Sequence, residues 1–114
     1  QQRVSSYIMN GAVCSYGRLT QGKTHKISAF NPAAYVQWEP EIHNYGGIWD
    51  ANGGHDASQY PNEEEGIGRR HKRGAVIMGF GGHVRFIKFE EFQNEQRYNK
   101  PGLLWCAPDT PNGQ

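Results

Sequence analysis

The sequence predicts a small α+β domain: an antiparallel sheet built on a β-hairpin at residues 75–88, one short C-terminal helix, and long loops. Two runs rich in Val, Ile, Met and Phe flank Gly81-Gly82, and a Gly-Gly pair supplies the positive φ that a two-residue hairpin loop demands. Residues 89–98, FEEFQNEQRY, hold no Gly or Pro and place Phe89, Phe92 and Gln96 at helical spacing. Fifteen glycines and 12% aromatic residues in 114 positions describe a turn-rich chain with one modest core rather than a disordered one.

Taken in order, the first apolar run is Tyr7, Ile8 and Met9, which ends in Asn10-Gly11 and reads as a strand and turn. Residues 12–17 extend briefly, and 18–26 are polar and loop-like. The stretch AYVQWE at 34–39 alternates and is aromatic, with Pro32 before it and Pro40 stopping it, so it is expected to pair with the hairpin. Residues 41–68 carry six glycines and one proline without a regular period. A loop of that length in a small domain is usually functional, or held by an ion or a partner. Ile48, Trp49 and Tyr60 are its expected anchors.

The hairpin then sets Phe80 opposite His83. On that register Ala75, Ile77, Gly79, Val84 and Phe86 share a buried face, while Val76, Met78, Phe80, His83, Arg85 and Ile87 share a partly covered one. The helix ends before Asn99-Lys100-Pro101, and the tail GLLWCAPDTPNGQ is irregular, anchored by Leu103, Leu104, Trp105 and Cys106. The whole, residues 1–114, is expected to be one globular domain.

Composition narrows the function. Twelve Lys and Arg against eleven Asp and Glu leave +1, so no global charge points to nucleic acid, a membrane or an acidic substrate. No run approaches eighteen apolar residues, and no signal pattern opens the chain. A chain that starts directly with a strand is expected to be a mature or truncated piece, soluble by itself. Cys14 and Cys106 lie near the two ends. An even count in a loop-rich, polar chain favours a disulfide between them over two core thiols.

Several groups are candidates for chemistry. Asp50, Asn52 and Asp56 fall in DANGGHD with two glycines; hard oxygen donors on a Gly-rich loop suit calcium, although Asx-Gly clusters also form plain turns. His25, His43, His55, His71 and His83 show no metal-ligand spacing. His71 reads instead as a hydrogen-bonded residue at the mouth of the hairpin, and His83 as a cross-strand neighbour of Phe80. The acidic block Glu63-Glu64-Glu65 precedes the basic block Arg69-Arg70-His71-Lys72-Arg73. Such blocks can steer neighbouring subunits into register, or simply neutralise each other in solvent. The basic block contains no interleaved aromatic platform, so no nucleic-acid partner is expected. No nucleophile elbow, phosphate loop or CxxC occurs, and no convergent set of groups marks the chain as an enzyme.

One signature remains. His71, nine intervening residues, Gly81-Gly82 and then His83-Val84-Arg85-Phe86 resemble the C-terminal signature of bacterial prepilin-type, pseudopilin-like proteins. There a histidine, nine residues and an Asp-Gly turn lead into a last strand. SSYIMNGAV near the start and GLLWCAPDTPNG near the end are similar to segments of the same family. Two departures stand out: Gly81 replaces the aspartate, and the family's leader and long apolar N-terminal helix are missing from these residues.

The resemblance implies a structural subunit of a pilus or type II secretion pseudopilus, placed in the cell envelope or outside a bacterium. Its partners would be further copies of itself, and its membrane contact would run only through the missing helix. By the same resemblance, Asp109 would be an oxygen donor in a calcium-holding C-terminal loop. The 41–68 loop and the basic residues Arg69, Arg70 and Arg73 would then form lateral contacts. A rival expectation is a secreted carbohydrate-binding module that stacks sugars on Tyr45, Trp49 and Tyr60.

Overall fold

Five strands and one helix make up the described residues, 6–14, 23–40, 58–63, 65–69 and 71–114, in the computed structural model. The strands are β1 (Ile8–Asn10), β2 (Tyr35–Trp38), β3 (Ser58–Gln59), β4 (Gly74–Gly79) and β5 (Val84–Lys88); α1 (Phe89–Gln96) follows β5 directly. They form one sheet in the order β3-β1-β2-β4-β5. The α+β class, the hairpin β4–β5, its neighbour β2 and the short C-terminal helix match the expectation. The hairpin supplies one side of the sheet, and β2 is the central strand. The neighbouring pairs are antiparallel except β1 and β3, which run parallel and make the far edge mixed.

Strand period puts Ile8, Trp38 and Ile77 in one cross-strand row, with Ala75 and Ile87 paired beside it. These apolar groups face the same side, and α1 and the tail close over them with Phe92 and Leu104. Trp38 and Phe92 meet edge to face, with ring centroids 5.5 Å apart, a favoured aromatic geometry. The helix buries Phe92 and puts Glu90 and Glu91 in its first turn, where carboxylates suit the positive end of the helix dipole. Past its end, the Glu95 side chain accepts from Leu103 N at 2.6 Å and Trp105 Nε1 donates to Gln96 O at 2.8 Å. These bonds turn the tail back onto the sheet.

The hairpin register differs from expectation by one residue. Met78 pairs with Val84 and Ala75 with Ile87, and Gly79 N donates to His83 O at 2.9 Å. The loop is therefore three residues long, Phe80-Gly81-Gly82, with Gly82 alone at positive φ (85°). This is the three-residue form, a tight turn followed by one left-handed residue. Its cause lies outside the hairpin. Phe80 N donates to Ala34 O and Gly81 N to Pro32 O, both at 2.8 Å, while the Phe80 ring stacks on Phe30 at 4.2 Å. The segment leading into β2 holds Phe80, so β5 slips by one position and its faces exchange. Ile87 is buried, whereas Val84 and Phe86, expected inside, are 62% and 43% exposed.

Asn10 ties the ends of the chain together. It is fully buried. Its Nδ2 donates to Tyr35 O (2.9 Å) and Leu104 O (2.8 Å), and its Oδ1 accepts from Ala12 N (3.0 Å). The same residue separates the two cysteines. Cys14 Sγ donates to Asn10 O at 3.4 Å, and Asn10 Nδ2 approaches Cys106 Sγ at 3.9 Å. The expected Cys14–Cys106 disulfide is not formed; each sulfur is a thiol directed at a different atom of Asn10. Burial pushes the Cys106 thiol up to about 12.

Two outcomes follow from that burial. Iodoacetamide at pH 8 should modify half-buried Cys14 in the folded protein and spare Cys106 until denaturant is added, which peptide mass mapping reads directly. Stability should also fall as pH rises above the ordinary thiol value of 9.0 towards 12. In that window the unfolded chain releases a proton that the fold retains. A Cys106→Ala variant should show a shallower decline in urea midpoint over the same window.

Candidate functional site

The His71 to Gly82 signature spans β4 from end to end. At one end, His71 N donates to Gly74 O (3.2 Å) and Gly74 N to His71 O (3.1 Å). The two residues between them, Lys72 and Arg73, sit at φ 47° and 67°. Positive φ at both central positions is the mirror-image turn that normally takes Asn and Gly. Here two long cationic side chains occupy it, which costs roughly 1–2 kcal/mol per residue. Replacing Lys72 by Asn together with Arg73 by Gly should therefore stabilise the fold by about 1–2 kcal/mol. A higher urea midpoint with an unchanged slope is the expected reading, and an unchanged midpoint would count against the turn geometry.

Glu39, just past β2, braces this end. Its side chain is 15% exposed. Oε2 accepts from Val76 N at 2.8 Å, and Oε1 lies 3.3 Å from His71 Nε2. Glu39 N also donates to Val76 O at 3.1 Å, so backbone and side chain together clamp the start of β4. The His71 ring is 57% exposed. Arg73 O accepts from Phe89 N at 2.8 Å, and the Arg69 guanidinium lies over the Phe89 ring at 4.2 Å, a favourable cation–π contact. The turn, the strand and the start of α1 are thus one connected unit with an exposed cationic rim.

At the other end of β4, Gly81 and Gly82 form the loop already described, and His83 lies across Gly79. A Cβ at Gly79 would collide with the His83 ring, so the glycine is what admits the imidazole. His83 stands opposite Gly79 rather than opposite Phe80 as expected, and its ring approaches Tyr35 at 6.0 Å. Arg85 completes this end on the covered side. Its guanidinium donates to both Glu91 oxygens at 2.7 and 2.8 Å and to the Tyr35 hydroxyl at 3.0 Å. Because Arg85 and Glu91 are largely exposed, the pair is worth at most about 1 kcal/mol.

The remaining candidates divide clearly. Glu63 pairs with Arg97 at 2.8 Å, and Glu65 accepts from Tyr60 N at 2.6 Å. Tyr60 lies against Trp105, centroids 6.3 Å apart, and so belongs to packing between the loop and the tail. Asp109 is exposed at φ 62°. Asp50, Asn52 and Asp56, together with Tyr45, Trp49 and Arg70, lie outside the described residues. Among the described residues, no three His, Cys, Asp or Glu side chains gather as a metal site.

The contributions of Glu39 and Asn10 went unseen in the sequence. Glu39 meets His71 across 32 positions, a separation that no local pattern reports. Asn10 left a fainter signal. It continues the inward-facing alternation of Ile8, where a polar residue calls for internal hydrogen bonds.

Compared with known proteins, the chain matches no family model, no curated protein and no solved structure.

Proposed function

We propose that this chain is the globular head of a pilin-like or pseudopilin-like subunit, which acts by packing into a pilus or type II secretion filament rather than by chemistry. The observation that supports this reading is the disposition of the signature. Its histidine and its glycine pair stand at the two ends of one strand, and each does structural work there. His71 closes the Lys72-Arg73 turn against Glu39, and Gly82 provides the one left-handed residue of the hairpin loop. Gly81 departs from the family's aspartate, and it stands at a close approach to Pro32 that a Cβ would crowd. The exposed cationic rim of Arg69, Lys72 and Arg73 suits a lateral contact with acidic surface on a neighbouring copy.

Filaments sheared from the native cells provide the test. The chain should be recovered in the sedimenting filament fraction at subunit stoichiometry, and Arg73→Glu should reduce that recovery. Recovery solely as a monomer in the medium would overturn the reading in favour of a secreted binding module.

A further inference from the structure

The face of the sheet opposite the core carries exposed apolar side chains, and β5 runs along its border. Met9, Gln37, Met78 and Val84 form one cross-strand row on that face, and Val76 and Phe86 pair beside it. Met9, Val84 and Phe86 are 45%, 62% and 43% exposed. Among the described residues, no strand lies beyond β5. The hydrogen bonds of β5 show which of its backbone groups face outward. His83 O and Phe89 N point back towards the β4 side, where they meet Gly79 N and Arg73 O. Alternation therefore turns Arg85 and Ile87 inward and Val84, Phe86 and Lys88 outward. Phe86 O receives one long bond, 3.4 Å, from Arg85 Nε. No proline or bulge interrupts the strand, two of the usual devices that protect an edge.

We propose that β5 is an interface between two copies of this chain, joined edge to edge as antiparallel strands about a two-fold axis at Phe86. The strand's own pattern selects this occupant and this register. In a symmetric antiparallel pair, opposite residues share a face, so the axis must pass through a residue and not between two. Centred on Phe86, all five residues overlap: Phe86 faces Phe86, Val84 faces Lys88, and Arg85 faces Ile87. Outward groups then meet outward groups along the whole strand. Centred on Arg85, only three residues overlap and two guanidiniums stand opposite each other, a repulsive pair. Centred on Ile87, the overlap is again three. The register centred on Phe86 is thus the one that pairs the whole strand, it sets no like charges opposite each other, and the Lys88 stem can lie along Val84 with its ammonium in water. The pairing brings the exposed Val84 and Phe86 side chains of the two copies together, with the Phe86 rings at its middle. The contact would give the proposed subunit packing a defined surface, yet it rests on the edge geometry alone and needs no filament to form.

Sedimentation equilibrium of the 114-residue chain up to about 1 mM, with amide hydrogen exchange at low and high concentration, tests it. The expected result is a monomer–dimer equilibrium in which the amides of Val84, Phe86 and Lys88 gain protection as dimer forms, while those of Arg85 and Ile87 do not change. Val84→Lys and Phe86→Lys should each weaken the dimer about tenfold or more. Val84→Lys should leave the melting temperature unchanged, because Val84 is the more exposed and makes the cleaner control. A chain that stays monomeric throughout overturns the proposal. So does a dimer indifferent to both substitutions, or one lacking the alternating protection pattern. Because a soluble dimer is measured, its absence would count against this interface while leaving the filament test to be decided separately.

Discussion

Replacing Asn10 by leucine is expected to cost roughly 3–6 kcal/mol, enough to unfold a domain of ordinary stability. Leucine repeats the branched outline of asparagine and is larger, so the cost comes from lost hydrogen bonds and some crowding rather than from a void. The Asn10 amide serves three backbone groups: Tyr35 O on β2, Leu104 O in the tail, and Ala12 N in the turn after β1. Asn10, Tyr35, Leu104 and Ala12 are all buried, so water cannot replace the lost partners without opening the core. Each unsatisfied buried group costs about 1–3 kcal/mol, and the apolar gain from leucine offsets a fraction of the sum. Urea unfolding monitored by tryptophan fluorescence would measure the loss. A change below about 1 kcal/mol would show that Asn10 does not hold the two ends of the chain together.

The second large effect is expected at Phe92. Phe92→Ala removes the ring that α1 lays against Trp38 and should cost roughly 3–5 kcal/mol, the usual range for emptying an aromatic core site. Trp38 offers an informative contrast. It is fully buried, but its Nε1 has no hydrogen-bond partner among the described residues, so it keeps a donor out of water without compensation. Trp38→Phe loses volume and also removes that orphan donor. The two changes oppose each other, and the net loss should stay below about 1.5 kcal/mol, while Trp38→Ala should cost about as much as Phe92→Ala. Equal losses for Trp38→Phe and Trp38→Ala would mean that packing alone governs the site.

Elements whose cause is local were readable from the chain. The strand between Pro32 and Pro40, the Gly-Gly hairpin and the Phe89–Gln96 helix each carry their own pattern of apolar residues and breakers. What escaped depends on contacts between distant segments. The hairpin register departs from the local pattern because Phe80 is held by residues 30–34, whereas local turn chemistry alone favours the two-residue loop. β3 is two polar residues, Ser58–Gln59, recruited as a parallel edge by β1; its composition announces nothing. Asn10-Gly11 reads as a turn, and a 3-10 turn does begin at Gly11, yet the same asparagine is also the buried junction of the fold. The position of His71 at the mouth of the hairpin was legible, but its partner Glu39 was not.

The role proposed for this domain is the head of an assembling subunit. The most direct test is the intact mass and N-terminal sequence of the protein isolated from its native cell envelope. The expected result is a longer chain, in which an apolar helix with a processed N-terminus precedes Gln1. A chain beginning at Gln1, or just after an ordinary secretory cleavage, would contradict it.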